Sequence, residues 1–165
     1  MMLVPYLPDW ESLHPLVIHF PIVLLLLSPA FVLTSAVLSP QRGRAYLIVG
    51  LALLLTGTGS LFLAVETGEA AAELADHTPG MTPVLQAHEQ LASQTRMLFS
   101  GLSFLLVALF VLPHFSARPL ARIYSTVLPM VFLALYLTGA LALVNTAHQG
   151  GRLVHQFGVH AMITH

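Results

Sequence analysis

The stretch Leu13-His14-Pro15-Leu16-Val17-Ile18-His19-Phe20-Pro21 continues as IVLLLLSPAFVLTSAVL to Leu38, and so sets two histidines and two prolines at the head of a long apolar run. About 20 residues, rising 1.5 Å each, cover the hydrocarbon core of a bilayer, so residues 15–38 are long enough to span it. Pro15 suits a first helical turn, where its missing N–H has no bond to lose. Pro21 lies deeper, removes one ladder bond and crowds the carbonyl of Val17, which predicts a kink in the first turns. Five residues of separation set His14 and His19 about 140° apart around a helix, facing different neighbours. Imidazoles are expensive at a membrane boundary. The segment therefore reads as a ligand platform rather than a plain anchor.

Three more apolar runs follow. Residues 45–65 form the second, and Glu66, Glu69 and Glu73 extend one of its faces outward at helical spacing. The third, residues 83–112, begins with an amphipathic stretch that projects beyond the bilayer. Thr82 is its expected N-cap, and Val84, His88, Leu91, Thr95 and Phe99 share its inward face. Residues 123–146 form the fourth, bent at Pro129. The double glycine Gly150-Gly151 is expected to end that helix in a left-handed turn, after which residues 147–165 fold back as a lid. No internal repeat stands out. The expected fold is all-α: one domain over residues 1–165, an integral membrane antiparallel four-helix bundle with outward helix extensions.

Composition agrees. The chain is 56% hydrophobic and 8% charged, against about 25% charged in soluble domains, and its mean hydropathy is +0.83. Cysteine is absent, which excludes disulfides, thiolate ligands and covalent c-type haem. A net charge of -1 gives no reason to expect a nucleic-acid partner. The segment before Glu11 lacks a basic region and a small-residue cleavage pattern, so Pro5, Tyr6, Pro8 and Trp10 read as an interfacial segment rather than a signal peptide. Arg42 and Arg44 lie between the first two spans, Arg118 and Arg122 between the last two. The positive-inside rule makes that side cytoplasmic and puts both termini in the periplasm, with Arg96 and Arg152 the outer cations.

This topology places His114 alone on the inner side. His77 falls in the outer loop and His165 at the terminus. His14, His19, His88 and His148 fall at or just inside the outer ends of three different spans. Neutral imidazoles from facing helices can ligate haem, copper or zinc. No H-x-x-x-H spacing favours zinc. Haem needs only one imidazole from each of two helices, with small residues beside it and cations for its propionates. Gly150, Gly151, Arg96 and Arg152 supply these, and Glu89 could orient an imidazole. The expected axial pair is His19 with His88, and His14 with His148 forms a second pair or serves as hydrogen-bond partners, for one or two haems b. Glu66, Glu69 and Glu73 lack the Glu-x-x-His partners of a di-iron bundle. No nucleophile triad or phosphate loop appears, so an electron carrier is expected rather than a stand-alone enzyme.

His14-Pro15 with Val17-Ile18-His19-Phe20-Pro21, then His88-Glu89, then His148-x-Gly150-Gly151-x-Leu153-Val154 with Gly158-Val159, resembles a bacterial membrane family catalogued as domain of unknown function 2231. The resemblance covers nearly the whole chain. It implies a four-helix protein of the bacterial inner membrane, some of whose relatives are fused to cytochrome c or Rieske domains. Such neighbours imply electron transfer, between quinone and a periplasmic acceptor. His155 and His160 depart from the family pattern, so it implies no role for them. Two other readings stand beside the b-type haem protein: copper or zinc binding, and a structural or quinone-site subunit of a larger respiratory complex or homo-oligomer.

Overall fold

The structure, a computed structural model, describes residues 9–75, 79–115 and 122–159. Pro5, Tyr6, Pro8, His77, Arg118, His160 and His165 lie outside these residues. After a 3-10 turn at Trp10–Ser12, the first span forms as α1 (His14–Val17) and α2 (His19–Val37), separated at Ile18. The break falls where Pro21 was expected to disturb the first turns. There follow α3 (Pro40–Glu73), α4 (Met81–Val111) and α5 (Leu128–Phe157), the last preceded by a π-helical turn at Ile123–Val127. That turn ends two residues before Pro129, which falls in the first turn of α5. Among the described residues, four helical segments, of 24, 34, 35 and 35 residues, are long and apolar enough to cross a membrane.

The helices pack as a ring: α2 along α3, α4 along α5, closed by α3 against α4 and α5 against α2. Leu25, Leu54, Phe99, Leu106, Phe132 and Tyr136 fill its centre. The perimeter is as apolar as the core; Phe104 is 79% exposed and Leu141 65%. Lipid tails are as apolar as leucine, so close packing and interhelical hydrogen bonds must hold such helices together. Several such bonds are present. Ser28 donates to the Gly50 carbonyl (2.9 Å), and Thr58 and Ser103 share a bond of 2.9 Å between α3 and α4. Pro29, inside α2, deprives the Leu25 carbonyl of its ladder donor, and the Tyr136 hydroxyl donates to that carbonyl at 2.6 Å. Among the described residues no buried side-chain nitrogen or oxygen lacks a partner.

Two expectations need correction. Gly150-Gly151 does not stop α5, which continues to Phe157 and ends at Gly158 with φ 67°. The continuation is favoured because Leu153 and Phe157 pack on Met81 and Val84 of α4, outweighing a glycine propensity cost of about 1 kcal/mol each. Residues 147–157 are thus helix rather than a folded-back lid. Thr82 is likewise not the N-cap of α4. Gly80, at φ 85°, precedes the helix, and Met81 is fully buried as its first residue. Both glycines take the left-handed conformation that other residues adopt only at a cost. The outward extension of α3 forms as expected, with Glu66, Glu69 and Glu73 exposed.

Candidate functional site

His14 opens α1, and its half-buried ring lies against α3. Its Nδ1–H donates to the Ala64 carbonyl at 2.8 Å. Thr67 donates its own hydroxyl hydrogen to the Leu63 carbonyl (2.8 Å), leaving its oxygen to face the same Nδ1 at 3.4 Å. His88, also half-buried, lies on α4 against α5 and repeats the arrangement. Its Nδ1–H donates to the Thr146 carbonyl at 3.0 Å. The Thr146 hydroxyl donates to the Ala142 carbonyl (2.9 Å) and is held by Thr95 at 2.9 Å. Because a carbonyl can only accept, each Nδ1 must carry the proton, and each Nε2 therefore holds the lone pair. Neither Nε2 has a hydrogen-bond partner among the described residues. Since no buried side-chain nitrogen there is unpartnered, both Nε2 atoms open onto accessible space.

A glycine makes each contact possible. A Cβ at Gly68 would stand 2.9 Å from His14 Cε1, and one at Gly150 would stand 3.1 Å from His88 Cε1. In both cases the carbonyl that accepts the imidazole proton belongs to the residue four places before the glycine. The missing side chain lets the ring reach a carbonyl already engaged in the helix ladder.

Other candidates fall elsewhere. His19, at the first residue of α2, is exposed, and so is His148. His14 and His88 share one arrangement, a carbonyl acceptor and a glycine four residues on, which His19 and His148 do not have. His14 lies against α3, whereas His19, about 140° further around the helix, is exposed. Glu89 is exposed and lines an open groove of about 580 Å³ with Glu69, Glu73 and Thr82. Arg96 stands 3.8 Å from Glu66 and over the Phe62 ring at 5.4 Å. Arg152 donates to Gln149 (3.0 Å) and Gln156 (3.1 Å) on its own helix. Gly151 has nothing within 4 Å of where a Cβ would lie. At the other end, Arg44 bonds His114 at 3.2 Å. Among the described residues no three His, Asp or Glu side chains converge as a metal site would require.

Sequence reasoning missed Ala64, Thr67, Gly68, Thr95 and Thr146, which hold the two rings. Gly68 interrupts the Glu66–Glu73 face and was open to notice. The carbonyl acceptors have no side-chain signature at all.

The family described as "Predicted membrane protein (DUF2231)" matches residues 11–162. No curated protein and no solved structure matches the chain.

Proposed function

The chain belongs to the family of membrane proteins known as domain of unknown function 2231, and we propose that it binds haem b between His14 and His88 and carries electrons at one face of the membrane. One observation carries this reading: two imidazoles from different helix pairs, each with Nδ1–H fixed on a helix carbonyl and Nε2 left open. Metal-ligating histidines commonly donate their second ring nitrogen in this way, which fixes the tautomer, orients the ring and raises ligand basicity. The donor set fits the group. The neutral imidazoles of His14 and His88 would hold a haem iron, and a chain without cysteine would hold the group non-covalently.

Bound there, the iron supplies reversible one-electron chemistry. The chain's own residues do the rest. Ala64 and Thr146 orient the imidazoles through their carbonyls, and Thr67 and Thr95 steady those contacts. Leu153 and Phe157, packed on Met81 and Val84, restrict water at this end of the bundle. Arg96 and Arg152 are the cations available for propionates. The positive-inside rule puts the site on the periplasmic side of the inner membrane, in reach of quinone and of a cytochrome c or Rieske-type acceptor. Copper or zinc is served less well, because two imidazoles leave half of a tetrahedral set unfilled.

The test is the absorption spectrum of the purified full chain, oxidised and dithionite-reduced. The proposal expects a Soret band and sharp reduced α and β bands, all lost or displaced in His14→Ala and His88→Ala. A colourless protein, or one carrying stoichiometric copper or zinc instead, overturns it.

A further inference from the structure

The two histidines are not the only features that occur twice. In the leading helix of each pair, a shift of 74 residues carries buried position onto buried position: Pro21 onto Thr95, Leu25 onto Phe99, Ser28 onto Leu102 and Val32 onto Leu106. The same shift carries His14 onto His88. In the returning helix the shift is 82, matching Gly50 with Phe132, Leu54 with Tyr136, Gly57 with Gly139 and Leu61 with Leu143. It also carries Ala64 onto Thr146 and Gly68 onto Gly150, the acceptor and the glycine of each histidine contact.

Helical periodicity alone could align two buried stripes, but it does not reproduce the contacts between them. A Cβ at Gly57 would meet Leu25, and one at Gly139 would meet Leu102 and then Phe99, the counterpart of Leu25. A Cβ at Gly68 would meet His14, and one at Gly150 would meet His88. The sequence carries the same register. Residues 51–57 read Leu-Ala-Leu-Leu-Leu-Thr-Gly, and residues 133–139 read Leu-Ala-Leu-Tyr-Leu-Thr-Gly. The expectation of a chain without internal repeat is thereby corrected.

Both pairs run in the same up-and-down order around one ring, so a half-turn about the bundle axis exchanges them. We infer that the chain is a doubled two-helix unit with a pseudo-twofold axis along the bundle, and that a single planar metal macrocycle lies on that axis, gripped by one imidazole from each unit. The choice of ligand rests on the bis-histidine reading above; the twofold grip is what is added. Each unit offers one open Nε2, so the site holds one ligand per chain. That ligand must present two opposite coordination positions. The two units grip it alike, and Gly68 and Gly150 are matched positioning residues rather than accidents of helix packing.

The experiment compares the full-length wild type with His14→Gly, His88→Gly, Gly68→Ala and Gly150→Ala. It reads haem per chain by the pyridine haemochrome and spin state by optical spectrum, with and without added imidazole. The expected result is one haem per chain in the wild type. Loss of the six-coordinate low-spin spectrum is expected in both histidine variants, with recovery in both on adding imidazole, and both glycine variants should lose haem. Recovery by imidazole shows that a colour loss is not a failure to fold. If a variant does not accumulate, the wild-type stoichiometry still decides. Two haems per chain, or a spectrum that survives loss of either histidine, overturns the twofold grip while leaving haem binding intact. A colourless wild type overturns the haem reading itself, and this assignment of the ligand with it.

Discussion

His14 and His88 each use one ring nitrogen for a helix carbonyl and keep the other open, which separates them from His19 and His148. The latter two are exposed and outside this arrangement. His19→Ala and His148→Ala are therefore expected to keep the visible spectrum of the wild type, read on the purified proteins. Loss of the spectrum in either would return the axial ligand to the exposed residues. Tyr136 acts at the same scale for stability. Its hydroxyl serves the carbonyl that Pro29 leaves without a donor, so Tyr136→Phe is expected to cost roughly 1 kcal/mol, within the range measured for hydrogen bonds between membrane helices. Unfolding in mixed micelles measures it, and an unchanged midpoint would show that water or lipid satisfies the Leu25 carbonyl instead. The choice between His14 and His19 was beyond the sequence, because angular spacing says that two rings diverge without saying which one meets α3.

Among the helices, α5 shows how packing overrides propensity. Its two adjacent glycines read as a stop, yet only Gly150 has a neighbour that needs its bareness. Gly151 has open space beside it, so Gly151→Ala is expected to stabilise the protein by up to about 1 kcal/mol. Gly150→Ala should instead push His88 off the Thr146 carbonyl. Thermal unfolding of the two variants side by side checks this, and equal effects would contradict it. The spans themselves were legible, because apolar length is a signal that needs no tertiary knowledge. The end of α5 was not. It depends on Leu153 and Phe157 finding Met81 and Val84 on another helix, and local reading of glycine cannot anticipate that.

At the scale of the whole molecule, the doubling was half visible. The Leu-Ala-Leu segments of α3 and α5 can be read in the sequence, but leucine-rich runs look alike in any membrane protein. The leading helices share few residues beyond the histidine, and unequal loops split the repeat into shifts of 74 and 82, so no single period aligns it. Burial and contact reveal it where identity does not. Orientation is a property of the same scale. The chain has no cysteine, so a single cysteine placed by Arg42→Cys or Glu73→Cys is a clean reporter. In intact cells an impermeant maleimide is expected to label the second and to reach the first only after lysis. The reverse pattern would turn the molecule over and move the histidine pair to the cytoplasmic side.

The central claim, that His14 and His88 jointly ligate one iron, is tested most directly by low-temperature electron paramagnetic resonance of the oxidised, purified full-length protein. One low-spin ferric signal of the bis-imidazole type is expected, replaced by a high-spin signal in His14→Ala and in His88→Ala. A wild type with no ferric signal, or a low-spin signal that persists in either variant, would contradict it.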